Sequence, residues 1–163
     1  MRIEHVVVNA SPLICLFASG LSDLLPALFT EIIVPDSVCK EITDKGKIDA
    51  ASRTLFSNKR IKQINNVIIH PTVASWDLGR GESAVLSYAL QNPKFWAVVD
   101  DREARRCAIS LGCYYTGTVG IILLAKRRGV ISSVRESLEK LQNAGLWLSD
   151  SFIENVCRKA NEG

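Results

Sequence analysis

The sequence lacks the long apolar runs of membrane proteins. Its longest apolar stretches are VVV near the start and VGIILLA at residues 119–125. Both are far shorter than the ~20 residues that a helix needs to span a bilayer. The opening residues MRIEHVVV also lack the small-residue cleavage site of a signal peptide. We therefore expect neither a membrane span nor a secretion signal.

The sequence also lacks the cysteine pattern of a disulfide-bonded or zinc-binding protein. The five cysteines are an odd number, and no two of them have the spacing Cys-x-x-Cys. This argues against both a disulfide framework and a zinc knuckle. Most of the cysteines lie among apolar neighbours, as inert buried thiols do. Such cysteine usage is typical of a protein of the reducing cytoplasm.

A large excess of one charge is absent too, since the formal net charge is only +3. The overall charge therefore does not indicate nucleic-acid binding. Basic residues do cluster locally, in NKRIKQ, DDREARR and AKRRG, and such clusters can contact phosphate. Solvated helix faces and favourable charges at helix C-termini explain each cluster equally well when it is taken alone.

The chain does have the composition of a globular domain, with 47% hydrophobic and 23% charged residues. Short β-branched stretches that predict strands alternate with amphipathic stretches that predict helices. The predicted strands are HVVVN, EIIV, IKQINNVIIH, FWAVVDD and CYYTGT. This alternation favours a parallel sheet covered by helices on both faces. We predict a single α/β domain over residues 1–163.

Three local predictions concern the segments between these strands. Ser11 and Pro12 predict a helix start, with a capping hydroxyl followed by proline at the first helical position. A weakly amphipathic helix is predicted from Gly46 to about Asn58. PTVASWDLGRG, residues 71–81, is predicted to be irregular.

Polar and acidic residues fall at comparable points of the predicted fold. Asn9 ends the first strand, and Asp100 and Asp101 end the FWAVV strand. Glu41 and Glu82 lie on the helices that follow the second strand and the segment LGRG. Because parallel strands end at the same edge of a sheet, we expect these side chains to gather there. Clustered oxygen ligands without histidine or cysteine favour Mg²⁺ or Mn²⁺, which suits phosphodiester hydrolysis.

Each of these acids also has a structural explanation. Glu82 in a first helical turn interacts well with the helix dipole. Glu41 can pair with Lys45 one turn later, and Asp101 can cap the helix that begins at Arg102. Asp100 directly follows a buried strand and has no capping role left to fill, so it is the hardest of the four to explain structurally.

Six stretches together resemble the PIN-domain family, a metal-dependent nuclease fold that includes the VapC toxins of bacterial and archaeal toxin–antitoxin pairs. In order, they are VVVNASPLICL, LFTEIIVPDSVCKEI, LGRGESAVLSYAL, AVVDDREARRCAISLG, YYTGTVGIILLAKRRGVI and LSDSFIENV. They cover nearly the whole chain and leave only residues 46–76 poorly matched. More narrowly, the chain resembles an uncharacterised PIN subfamily of bacteria and archaea. The resemblance implies a three-layer α/β/α sandwich with a central parallel sheet and an acidic metal pocket at its edge.

Carried over by motif, the metal positions are Asn9, Glu41, Glu82 and either Asp100 or Asp101, of which we favour Asp100 with Asp101 as its partner. The carboxylates are also the implied catalytic residues, with Mg²⁺ or Mn²⁺ as cofactor. Asn9 departs from the family pattern, because nucleases of this family usually carry aspartate at this position. An amide keeps an oxygen ligand but removes one negative charge and cannot act as a base.

The departure leaves two functions open. One is a metal-dependent endoribonuclease with Asn9 as a neutral ligand, either alone or as the toxin of a toxin–antitoxin pair. The other is a catalytically weakened module that binds RNA or a partner protein. A phospho-acceptor receiver domain fits poorly, because its acidic pair follows the first strand.

The expected partners are RNA, an antitoxin protein and a second copy of the chain, with no membrane. Ser11 and the turn from Thr116 to Thr118 are candidate phosphate contacts, although helix capping is the simpler explanation. Arg102 and Arg105 are further candidates for contact with RNA. Apolar residues around Trp147 and Phe152 are compatible with a homodimer.

Overall fold

Five parallel strands form one sheet in the computed structural model, which describes residues 2–44 and 58–162. The strands are β1 (His5–Val8), β2 (Glu31–Pro35), β3 (Ile61–Ile64), β4 (Phe95–Val98) and β5 (Tyr115–Thr116). Their order in the sheet is β3-β2-β1-β4-β5. The central position of β1 explains its sequence, because Val6, Val7 and Val8 are fully buried, as expected of a parallel strand covered on both faces.

Nine helices accompany the sheet in the described residues. They are α1 (Ala10–Ala18), α2 (Leu24–Leu28), α3 (Asp36–Asp44), α4 (Pro71–Ala74), α5 (Arg80–Gln91), α6 (Arg102–Leu111), α7 (Thr118–Arg127), α8 (Val134–Asn143) and α9 (Asp150–Lys159). Helix α5 packs on β1, β2 and β4 and also contacts α3 and α6, whereas α7 packs against α1, α2 and α8. The predicted three-layer α/β/α sandwich with a central parallel sheet is confirmed.

The strand order places the carboxyl ends of β1 and β4 side by side. Strands β1, β2 and β3 follow one another towards one edge of the sheet. The chain then crosses to β4, which lies on the other side of β1. Val8 is in register with Val98, so the two strands end level. Such a reversal of direction opens a crevice at the carboxyl ends of the strands, where α/β proteins bind their ligands.

Some local predictions are wrong in detail. Helix α1 begins at Ala10 with Asn9 at the N-cap, so Ser11 lies inside the helix and does not cap it. Strand β3 ends at Ile64, although the strand-like pattern continues to His70. The segment predicted to be irregular contains the short helix α4, which starts at a proline and is capped by the His70 ring. The helix predicted from Gly46 to about Asn58 falls almost entirely outside the described residues.

Other helix boundaries match the sequence signals. Gly112 ends α6 in the left-handed conformation, with φ of 71°, which only glycine adopts without strain. Ser149 caps α9 by accepting a hydrogen bond from the Phe152 amide. These ends were marked by residue types whose local chemistry determines the backbone conformation.

The last described residues are held by one carboxylate. Glu162 accepts hydrogen bonds from the backbone amides of Val134, at 2.7 Å, and Arg135, at 3.2 Å. It also accepts from the Ser133 hydroxyl at 3.5 Å and forms an ion pair with Lys126 at 3.2 Å. Glu162 therefore caps α8 from a distance and joins it to α7 and the end of the chain.

Within the described part of the chain, no helix is long and apolar enough to cross a membrane. All five cysteines lie in this part and are free thiols. Trp147 is 90% exposed and Phe152 is 40% exposed. The homodimer suggested by these two residues stays a prediction.

Candidate functional site

Asn9 lies at the junction of β1 and α1 with its side chain enclosed. Its backbone amide donates to Val98 O at 3.0 Å, and its carbonyl accepts from Leu13 N at 3.3 Å. The residue is only 4% exposed, and Asn9 Oδ1 has no hydrogen-bond partner among the described residues. A buried amide oxygen without a donor costs about 1–3 kcal/mol. This position therefore suits a ligand that accepts the oxygen's lone pairs.

Glu41 on α3 lies close to that oxygen, and Gly81 on α5 makes the approach possible. A Cβ placed on Gly81 would be 3.2 Å from Asn9 Oδ1 and 3.1 Å from Glu41 Oε2. It would also be 3.2 Å from the Val38 side chain. Any residue larger than glycine would therefore press on all three groups. Gly81 lets α5 pack against two oxygen ligands that come from different elements.

Glu82, in the first turn of α5, extends the acidic group. Burial raises the pKa of its carboxyl, and the negative charges of Asp101 and Glu41 raise it further. Glu41 and Asp101 therefore each lie close enough to Glu82 to repel its carboxylate. A cation placed among them would relieve this repulsion.

Asp100 forms a separate set of contacts beside this group. Its Oδ1 accepts from the Thr118 amide at 2.8 Å, and its Oδ2 accepts from the Thr118 hydroxyl at 2.5 Å. The Arg105 guanidinium lies 3.6 Å from Asp100 Oδ1. A Cβ on Gly117 would meet both Arg105 and Asp100, so this glycine also permits a close approach. Asp100 is therefore held in a fixed orientation by α6 and α7.

Asp101 has the capping role considered for it from the sequence. Its Oδ2 accepts from the Ala104 amide at 3.0 Å, which caps α6. Its charge nevertheless acts on Glu82. The two explanations are thus compatible, since one carboxylate caps a helix and contributes to the acidic group.

An open groove of about 310 Å³ gives access to the acids. It is lined by Glu41 and Glu82, by the glycines on either side of Arg80, and by Ser37, Lys40 and Arg80. Lys40 and Arg80 are exposed, and neither forms an ion pair with any residue that the structure describes. Two such cations beside carboxylates can bind an anionic substrate that the acids alone would repel.

The comparison with known families agrees with this arrangement. A family model described as a PIN domain matches residues 5–162. The chain belongs to the PIN-domain family. Searches of curated proteins and of solved structures each gave no significant match. The family resemblance inferred from six separate motifs is therefore confirmed over almost the whole chain.

The PIN-domain site gathers the predicted residues in two neighbouring groups. Asn9, Glu41, Glu82 and Asp101 form one, and Asp100 belongs to the other with Thr118 and Arg105. Across residues 2–44 and 58–162, no three histidine, cysteine, aspartate or glutamate side chains are gathered tightly enough to hold a metal ion by themselves.

The donor set nevertheless fits a hard divalent cation. It consists of oxygen atoms only, and it includes the buried Asn9 Oδ1 that has no partner in the described structure. Mg²⁺ usually keeps several waters and takes only one or two carboxylates from the protein. Asn9 and Glu41 could bind such an ion directly, with Glu82 and Asp101 reaching it through water.

The candidate phosphate contacts differ in their accessibility. Ser11 and Arg102 are exposed, and Arg105 and Thr116 are half-buried. Thr118 is 1% exposed, and both its amide and its hydroxyl donate to Asp100. Thr118 therefore positions a carboxylate in this structure.

Lys40 and Arg80 were not predicted from the sequence, although both are close to predicted site residues along the chain. Lys40 directly precedes Glu41, and Arg80 lies two residues before Glu82. A basic residue next to each candidate acid was the available signal. Neither residue belongs to a run of several basic residues, which is the pattern that predicts phosphate contacts.

Proposed function

We propose that this PIN domain is an Mg²⁺- or Mn²⁺-dependent endoribonuclease. The observation that carries the proposal is the buried Asn9 Oδ1 near the Glu41 carboxylate, which lines the groove together with Glu82. These atoms provide oxygen ligands for one hard cation, and the groove is open to a chain-like substrate. Lys40 and Arg80 supply the positive charge that an RNA backbone requires.

The residues have distinct roles in this proposal. Asn9, Glu41 and Asp100 would hold the ion, while Glu82 and Asp101 would act on its water ligands. A bound Mg²⁺ or Mn²⁺ supplies an activated water and stabilises negative charge on the phosphate and leaving oxygen. Lys40 and Arg80 bind the phosphates on either side of the scissile bond.

Asp100 keeps its predicted place as a ligand within the proposal. Thr118 fixes its orientation, and Arg105 limits its negative charge. Separate Asp100→Asn and Asp101→Asn variants distinguish the two positions. The direct ligand is the carboxylate whose change weakens Mn²⁺ binding more, measured by calorimetry.

A second candidate function is a PIN module that binds RNA or a protein but cleaves poorly. Two observations favour it: the amide at Asn9 removes one charge from the acidic group, and Arg105 lies 3.6 Å from Asp100. Both reduce the attraction of the site for a divalent cation.

Cleavage assays separate the two candidates. The wild-type protein is incubated with structured and single-stranded RNAs in Mn²⁺ or in EDTA, beside Glu41→Gln and Asp100→Ala. The ribonuclease proposal requires cleavage that Mn²⁺ supports and that EDTA and Glu41→Gln abolish. Cleavage that survives both EDTA and the substitutions would come from a contaminant and would refute the mechanism.

Asn9→Asp then tests the weakened module directly. If the variant cleaves RNA in Mn²⁺ and the wild type does not, the natural site is a weakened one. If both cleave at similar rates, Asn9 is a functional neutral ligand and the second candidate is wrong.

The narrower proposal is that the chain is the toxin of a toxin–antitoxin pair. It predicts that expression in a bacterial host arrests growth and that Glu41→Gln relieves the arrest. Co-expression of the protein encoded by the adjacent open reading frame should also restore growth. Normal growth on expression of active ribonuclease would refute the toxin role and leave the ribonuclease proposal intact.

A further inference from the structure

A second cavity, of about 470 Å³, opens beside the groove. It lies between the start of α3, the loop that joins β3 to α4, and the start of α5. Ser37 and Arg80 line both this cavity and the groove, so the two spaces adjoin. We call the second cavity the side pocket.

The side pocket has the apolar walls that a planar ring requires. Val67 and Ile69 of the β3–α4 loop contribute one wall, and Leu78 contributes another. Ile69 is 37% exposed, so a bound ring would cover apolar surface that now faces solvent. Unpaired RNA bases are held by such contacts together with hydrogen bonds to their edges.

Two carboxylates are among the polar groups of the side pocket. Asp36 and Asp77 both line it, and an ionised carboxylate only accepts hydrogen bonds. Asp77 is exposed, and no hydrogen bond to its carboxylate is found among the described residues. Ser37 Oγ is buried and also lacks a partner in this part of the chain. A ligand with several N–H donors would satisfy these groups.

The loop wall of the side pocket is fixed before any ligand arrives. The His70 amide donates to Ser87 Oγ at 3.0 Å, and Gln91 Nε2 donates to Ile68 O at 3.2 Å. Both partners on the other side belong to α5, which also carries Gly81 and Glu82. The side pocket and the acidic group are therefore held at a constant separation by one helix, as sequence-selective cleavage requires.

We propose that the side pocket binds an unpaired guanine of single-stranded RNA, with the adjoining phosphate against Arg80. This inference rests on the proposed function and names its substrate. Guanine presents two neighbouring donors, N1–H and the 2-amino group, which match one carboxylate. Adenine and cytosine place an acceptor beside their amino group, and uracil places acceptors on both sides of its single donor. The Asp77 carboxylate has no competing partner among the described residues. It therefore accepts the hydrogen bonds from guanine N1–H and the 2-amino group.

The test is a binding assay without divalent metal. Fluorescent oligoribonucleotides of cytidine, with guanosine, adenosine, uridine or cytidine at one central position, are titrated with the protein in EDTA and followed by anisotropy. We expect about ten-fold tighter binding of the guanosine oligonucleotide, the discrimination typical of one good bidentate contact. Asp77→Asn should remove this preference. Asparagine tolerates the φ of 54° at this position, so the fold should be retained.

Asp23→Asn is the matched control, because Asp23, the residue before α2, is exposed, forms no side-chain cap and lies outside both cavities. It should bind like the wild type. Equal affinity for the four oligonucleotides, no binding of any of them, or an unchanged preference in Asp77→Asn would each overturn the side-pocket proposal.

Cleavage in Mn²⁺ distinguishes this failure from failure of the proposed function. Guanine-selective binding without cleavage would keep the side pocket and refute the ribonuclease. Cleavage of RNA at positions unrelated to guanine would keep the ribonuclease and refute the side pocket.

Discussion

Asn9 contributes to the sheet through its backbone and to the candidate site through its side-chain oxygen. The backbone of this residue continues the hydrogen bonding of β1 with β4, while Oδ1 lies buried beside Glu41 without a partner in the described residues. The residue type is therefore not explained by helix capping or by packing. In the proposed function, it is explained by a cation that an amide oxygen can bind.

Replacing Asn9 with aspartate makes the stability of the protein dependent on metal. A buried carboxylate near Glu41 is unfavourable without a cation, so Asn9→Asp should melt below the wild type in EDTA. Saturating Mn²⁺ should reverse the loss, because about ten-fold tighter binding is expected when a charged ligand replaces a neutral one. Thermal unfolding with and without Mn²⁺ measures both effects. Asn65→Asp, at an exposed position, should show neither, and a metal-independent Tm in Asn9→Asp would contradict the assigned site.

Gly81→Ala should reduce activity more than stability. The added methyl would lie 3.1 Å from Glu41 Oε2 and 3.2 Å from Asn9 Oδ1, so the two ligands must separate. Alanine also gains about 1 kcal/mol of helix propensity over glycine, which offsets the strain in the fold. We expect about ten-fold weaker Mn²⁺ binding with a change in unfolding free energy below about 1 kcal/mol. Gly79→Ala is the control, since no atom lies within 4 Å of the new methyl group.

At the scale of elements, the N-cap residue of helix α6 has two functions. Asp101 caps the helix and also adds negative charge near Glu82. Asparagine caps helices about as well as aspartate, whereas alanine does not. The two functions can therefore be separated by two substitutions at one position.

Asp101→Ala should lower the free energy of unfolding by about 1 kcal/mol, and Asp101→Asn should leave it nearly unchanged. Both should weaken Mn²⁺ binding, because both remove the carboxylate. Urea unfolding and calorimetry on the same preparations provide the comparison. Mn²⁺ binding by Asp101→Asn at wild-type strength would restrict Asp101 to its capping role.

The sequence predicted those elements whose determinants are local. Continuous β-branched residues identified β1, and Gly112 marked the end of α6, because each signal acts within a few residues. The start of α1 was wrong, since Asn9 occupies the N-cap through its backbone bonds to the neighbouring strand and not through its side chain. Lys40 and Arg80 were missed for a similar reason: they meet only when α3 and α5 pack together.

At the scale of the whole molecule, Glu162 couples the end of the described chain to α7 and α8. Hydrogen bonds from the Val134 and Arg135 amides lower the pKa of its carboxyl, with Lys126 contributing further. The folded pKa thus lies below the unfolded value of about 4.3. The resulting stability is fully present above the unfolded pKa and is lost as the pH falls through the folded pKa.

Glu162→Gln should therefore destabilise the protein at neutral pH by about 1–2 kcal/mol. The difference from the wild type should disappear at acid pH, where the wild-type carboxyl is also protonated. Chemical unfolding at several pH values from 7 to 3 tests this expectation. Glu139→Gln, at an exposed position on α8, controls for the loss of one charge. A difference that persists unchanged at the lowest pH would show that Glu162 acts by packing.

The crossing of the chain from β3 to β4 separates the site residues in the order of their synthesis during translation. Asn9 and Glu41 are synthesised first, Glu82 comes with the crossover helix α5, and Asp100 follows only after β4 on the other side of β1. Thr118, which orients Asp100, emerges later still. The emerging chain therefore carries only Glu41 of the four site acids until Glu82 is made, and Asp100 and Asp101 come after Glu82. Under the proposed function, a nascent chain that ends before Thr118 is therefore expected to lack ribonuclease activity, because its acidic group is not yet assembled.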